Sequence, residues 1–186
     1  MWPDELNYSN KGRQTSVWQV LAVDYQTKLS EAVRGLENDF RADKFPVRIL
    51  SWPLQESTVT ASLYHRLIQN GVPQLNLWVQ TKGPDMVIHE GATVRMLVEV
   101  KRLFRFHSQE RKQCKHDIRR LEIQRRKNET AGIEPVHCAF VVFDVNGVLE
   151  DKKSPRSRET WKDWLRQQSD ESKVLLHIVS REKKTA

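Results

Sequence analysis

Cysteine is scarce: Cys114 and Cys138 are the two in 186 residues. They form neither a metal-ligand spacing nor a disulfide framework, so a reducing, cytoplasmic setting is expected. Long apolar runs are missing too. No stretch reaches the roughly 18 residues a membrane-spanning helix needs, and the opening MWPDELNYSNKGRQ has no apolar secretion core. Neither membrane insertion nor secretion is expected. Internal repeats and low-complexity tracts are also absent. The histidines (His65, His89, His107, His116, His137 and His177) are scattered without ligand spacing and are expected to be structural.

What is present argues for a folded globule. Hydrophobic residues make up 38% of the chain and six tryptophans occur, too many for a disordered segment. A chain of this length can bury one core without disulfide or metal staples, so a single domain over 1–186 is expected. The net charge of +7 is unevenly placed. Residues 1–100 carry ten Lys/Arg against eleven Asp/Glu, residues 101–128 eleven against three, and residues 129–186 ten against ten. The whole excess sits in one short segment. Such a cluster beside a polar site suits a polyanion, through phosphate contacts and counterion release. The plainer alternative is a solvated Arg/Lys helix face.

Periodicity places the elements. Trp18, Leu21, Tyr25, Leu29, Val33, Leu36 and Phe40 recur at helical spacing and predict a long amphipathic helix over 16–40. PVRIL (46–50) suits a short strand ended by the proline of SWPLQEST. Val59, Leu63 and Leu67 predict a helix over 56–69, closed by Asn70-Gly71. Three strands follow at 75–80, 85–89 and 93–101, the last two joined across Gly91. The basic segment predicts a helix over 108–127 with a narrow stripe of Cys114, Ile118 and Leu121. VHCAFVVFDV (136–145) reads as a buried central strand. A short helix with Trp161, Trp164 and Leu165, capped at Ser157, leads to a last strand over 173–180. The tail REKKTA is expected to fray, and Trp52 and Trp78 to lie in the core. An early meander followed by helical crossovers makes a mixed sheet with helices packed on it, an α/β fold.

PDMVIHEGATVRMLVEVKR (84–102) is an apolar hairpin that nonetheless carries Asp85, Glu99 and Lys101. Strand alternation puts Leu97, Glu99 and Lys101 on one face and Met96, Val98 and Val100 on the other. A turn at Gly91-Ala92 brings Glu99 opposite Pro84 or Asp85, so the three ionisable residues converge. Two carboxylates that close repel unless one takes a proton or a cation lies between them. Mg²⁺ suits such a pair, completing its shell with water and substrate phosphate, and a nearby lysine can orient water or stabilise charge on phosphorus. Glu56, on the stripe of Val59, Leu63 and Leu67, could join them or simply sit at the helix N-terminus. The plain alternative for the triad is a salt bridge on an exposed sheet face.

The combination resembles the PD-(D/E)XK nuclease superfamily, which has the restriction-endonuclease-like fold. Pro84-Asp85 matches the PD, and Glu99-Val100-Lys101 matches the (D/E)XK, with thirteen residues between Asp85 and Glu99. The resemblance covers residues 54–146 as an αβββαβ core, leaving 1–53 as an N-terminal helical extension and 147–186 as a C-terminal helix and strand. It implies a Mg²⁺-dependent endonuclease cutting DNA, or less often RNA, with Mn²⁺ able to substitute. Asp85, Glu99 and the Val100 carbonyl would hold the metal, Glu56 would support it as the helix acid, and Lys101 would assist the attacking water. Arg102, Arg105, Arg111 and Lys115 are the candidate phosphate contacts. The basic helix has no Gln-x-x-x-Tyr, which disfavours a recombination-type exonuclease. No separate recognition domain is evident, so specificity would need a homodimer or a partner protein.

Two rivals remain. A non-catalytic nucleic-acid-binding or assembly module could use the same fold. VVFDVNGVLED (141–151) resembles the haloacid dehalogenase phosphatase signature, with Asp144 as nucleophile. Asn146 stands where that signature has its second Asp, and only 39 residues follow Gly147. A strand end followed by an Asn-Gly turn explains the same letters.

Overall fold

The computed structural model describes residues 23–41, 55–80, 83–131, 136–154 and 157–180. Helices α1 (Tyr25–Arg41) and α2 (Glu56–Gln69) precede strands β1 (Leu77–Val79), β2 (Met86–Glu90) and β3 (Thr93–Leu103). Helix α3 (Ser108–Thr130) leads to β4 (His137–Asp144), and α4 (Trp161–Glu171) leads to β5 (Leu175–Ser180). The strands lie in sequence order in one sheet. β1, β2 and β3 pair antiparallel, whereas β3, β4 and β5 pair parallel. The chain is therefore mixed α/β, a five-stranded sheet flanked by helices.

Each face of the sheet has its own core. α1 (Leu29, Val33, Leu36) and α2 (Val59, Leu63, Leu67) pack with Met86, Met96, Val98, Val100 and Val141 on one face. α3 (Cys114, Ile118, Leu121) and α4 (Leu165) pack with Leu97, Leu103, Phe140 and Val142 on the other. β4 is covered on both faces, which is why its sequence is continuously apolar. The two crossover helices share a face because both parallel connections turn with the same hand.

The hairpin carries a detail that matters for the site. Gly91 takes φ +58° at the first central position of the two-residue turn, a place that favours glycine. The register then shifts between Ile88 and His89, with Arg95 as the extra residue on β3. Without that bulge Glu99 would continue opposite Pro84. With it, Met86 pairs Val98, and Glu99 falls opposite Asp85.

Several expectations need correction. Helix α1 starts at Tyr25, because Asp24 accepts the backbone N–H groups of Gln26 (3.1 Å) and Thr27 (3.2 Å) as an N-cap. Trp18, Leu21, Trp52, residues 46–50 and the tail 181–186 lie outside the described residues. β1 covers three residues, since Gln74–Asn76 form a 3₁₀ turn. Helix α4 is capped by Thr160, not Ser157: Thr160 and Asp163 form a reciprocal capping box, while Ser157 Oγ accepts from Glu159 N at 3.0 Å. Trp78 is 58% exposed on edge strand β1, not in the core.

Candidate active site

Strand β3 outruns its neighbour. β2 begins at Met86, paired with Val98, so the backbone N–H groups of Val100 and Arg102 have no strand partner on that side. Two carboxylates take them. Asp85 Oδ2 accepts from Val100 N at 2.7 Å, and Glu56 Oε2 accepts from Arg102 N at 3.3 Å. Within a strand the N–H and C=O of one residue point toward the same neighbour, so the Val100 carbonyl also faces the Asp85 side. Asp85, Glu56 and the Val100 carbonyl thus collect at the unpaired edge of β3.

Glu99 and Lys101 rise from the opposite face to Val100, toward α3. Lys101 is nearly buried, its Nζ 3.4 Å from Glu56 and 3.8 Å from Asp117. Glu99 is buried as well, its Oε2 lying 2.5 Å from Arg120 Nη2. Burial first, then the neighbouring Asp85, push the Glu99 carboxyl up to about 7 in spite of Arg120. Burial also raises Asp85; the Val100 N–H opposes this and Glu56 adds to it. The corner is short of positive charge.

A divalent cation is the group that would supply it. Among the described residues no cluster of three or more His, Cys, Asp or Glu side chains is gathered to hold a metal ion. A site of two carboxylates, a backbone carbonyl and substrate oxygens is a different donor set, and one that suits Mg²⁺. The raised Glu99 beside Asp85 fits such an ion.

Two residues of the site were not singled out from the sequence, and both lie on α3. Asp117 is buried at Lys101, and Arg120, one turn on, pairs Glu99. The signal for Asp117 is its spacing of three from Cys114 and four from Leu121, which sets it on the apolar stripe. Of the candidate phosphate contacts, Arg105 is exposed and pairs with Glu110 at 3.1 Å. Arg102 lies 4.3 Å over the Phe104 ring. Lys115 is exposed. Arg111 stacks 4.4 Å over Trp161, on the α4 flank of α3 and about 120° around the helix from Asp117. The structure therefore brings together Glu56, Asp85, Glu99 and Lys101, and leaves Arg111 outside the group.

Asp144 is fully buried and accepts from Val148 N (2.8 Å) and Leu149 N (2.9 Å), with Gly147 at φ +66°. Its carboxylate caps the turn and offers no exposed nucleophile. No helix among the described residues is long and apolar enough to cross a membrane. Comparisons with protein-family models, curated proteins and solved structures find no match.

Proposed function

We propose that this chain is a metal-dependent nuclease with a restriction-endonuclease-like core, hydrolysing phosphodiester bonds in DNA. The observation that carries the reading is the pairing of Asp85 with a Glu99 raised to about 7, beside a lysine, at the end of an otherwise apolar sheet. Asp85, Glu99 and the Val100 carbonyl would hold Mg²⁺ or Mn²⁺, which when bound supplies charge neutralisation at the phosphate and a more acidic water. Lys101 would orient the attacking water and stabilise developing charge; Glu56 and Asp117 hold its ammonium from two sides. Arg120 adds a cation at the same corner. The antiparallel meander that feeds a parallel strand through α3 supports the fold assignment. Cutting both strands of a duplex would call for a homodimer or a partner protein.

A specific observation favours a second reading. Asp85 and Glu56 already cap the free edge of β3, and Lys101 and Arg120 already have carboxylate partners. A non-catalytic nucleic-acid-binding module would need nothing more from these groups. Incubating supercoiled plasmid and single-stranded DNA with Mg²⁺, Mn²⁺ or EDTA decides between the two, with Lys101→Ala beside the parent. Metal-dependent cutting reduced at least 100-fold in the variant is expected. Binding without cutting in both proteins would establish the second reading.

A further inference from the structure

Arg120 stands directly on a carboxylate that the nuclease reading gives to the metal. Its Nη2 lies 2.5 Å from Glu99 Oε2. A guanidinium and a divalent cation drawn to one carboxylate repel each other, so loading the site calls for a rearrangement. The surroundings show where the guanidinium can go. Arg120 Nη2 is already 3.9 Å from Asp117 Oδ1, about one turn back on α3. Lys101 uses the other oxygen, Oδ2, at 3.8 Å, so an arginine arriving at Oδ1 leaves the lysine in place. Oδ1 also meets the exposed His116 ring at 3.5 Å, and a carboxylate oxygen can accept from both.

Burial says which group moves. The Arg120 side chain is 33% exposed, whereas those of Glu99 and Asp117 are 8% and 7% exposed. The arginine has an open side on which to turn, and the two carboxylates do not. Charge says how far it moves. Glu56, Asp85, Glu99 and Asp117 face Lys101 and Arg120, four carboxylates against two cations. With all of them ionised, a divalent cation closes that deficit only while Arg120 stays in the corner. Release of the guanidinium to solvent would leave the corner short again.

We propose that Arg120 is the resident counter-ion of the unloaded site, yielding Glu99 to a divalent cation and closing onto Asp117 as it does so. The proposal rests on the metal site of the nuclease reading and adds what regulates its loading. Arg120 competes with the ion and so sets its affinity. Asp117 is a positioning residue, which receives the displaced guanidinium and touches no metal.

The test measures metal binding without nucleic acid. Isothermal titration with Mn²⁺ compares the parent with Arg120→Gln, Arg120→Lys, Asp117→Asn and the Arg120→Gln/Asp117→Asn pair, and Glu99→Gln locates the site. Arg120→Gln should tighten Mn²⁺ binding about 5- to 150-fold, the usual span for two coupled groups. Arg120→Lys keeps the competing charge and should stay much closer to the parent. Asp117→Asn should weaken binding more in the parent than in Arg120→Gln, because only the parent has a guanidinium to receive. Arg120→Gln also deprives a buried carboxylate of its partner and lowers stability, so the parent is read on its own as well. In [¹⁵N]arginine-labelled protein the Arg120 side-chain resonance, assigned by its loss in Arg120→Lys, should move on adding Mg²⁺. If Arg120→Gln does not fold, that resonance decides alone. Unchanged or weaker Mn²⁺ binding in Arg120→Gln, or an Arg120 resonance unmoved at saturating Mg²⁺, would overturn the proposal and leave the metal site standing. A parent that binds no Mn²⁺, or binds it regardless of Glu99→Gln, would overturn the proposal and the metal site together.

Discussion

Glu99 concentrates the electrostatic conflict of the molecule in one carboxyl group. Desolvation and Asp85 raise it from 4.5 to about 7, and the Arg120 ion pair offsets part of that rise. The folded chain thus holds a proton at Glu99 that the unfolded chain releases. This contribution to stability is complete below about pH 4.5 and is lost as pH rises through about 7. In EDTA the parent should lose up to about 3 kcal/mol across that window, while Glu99→Gln keeps it. Denaturant midpoints measured at intervals of pH check this. Parallel profiles for the two proteins would mean that Arg120 neutralises Glu99 completely and that the corner does not lack a cation.

Among the elements, α4 depends most plainly on its ends. Its apolar contacts come from Leu165 and from Trp161 and Trp164 against Phe106, all in its first half, and the Thr160–Asp163 box satisfies two first-turn groups there. Thr160→Ala should cost about 1 kcal/mol and lower the Tm by roughly 2–4 °C in a thermal melt, with Ser157→Ala close to neutral. The hairpin shows the same dependence of the candidate site on local geometry. One bulge residue, Arg95, moves the β2–β3 register by a single position and so sets Asp85 rather than Pro84 beside Glu99. The length of β3 beyond β2 then leaves two backbone donors for carboxylates to fill.

For the whole molecule the decisive quantity is where the charge lies. The basic segment folds as one helix, α3, whose inward stripe meets the sheet and whose outer face carries Lys112, Lys115 and Arg119. If these track phosphates, changing all three to Gln should flatten the dependence of log affinity on log salt by about 2. Titrations of single-stranded DNA at several salt concentrations measure it. An unchanged slope would reduce the outer face of α3 to a solvated surface. The protein would still fold, because the buried residues of α3 are Cys114, Asp117, Ile118 and Leu121.

Much of this was legible in the letters. Periodicity of two and of three to four marks the strands and helices, because burying one face of an element constrains every second or every third and fourth residue. The continuous run of β4 marks a strand covered on both sides. The convergence of Asp85, Glu99 and Lys101 follows from one hairpin, a contact local enough for turn and alternation to predict. Other features depend on neighbours distant in the chain. Trp78 looks like a core residue until the sheet order leaves β1 at an edge. Arg111 and Arg120 look alike until packing turns one toward Trp161 and the other toward Glu99. Asp117 acquires its role only when α3 lands on β3 and faces Lys101. Local periodicity can say which residues share a face; what that face meets is decided by the packing of elements far apart in the chain.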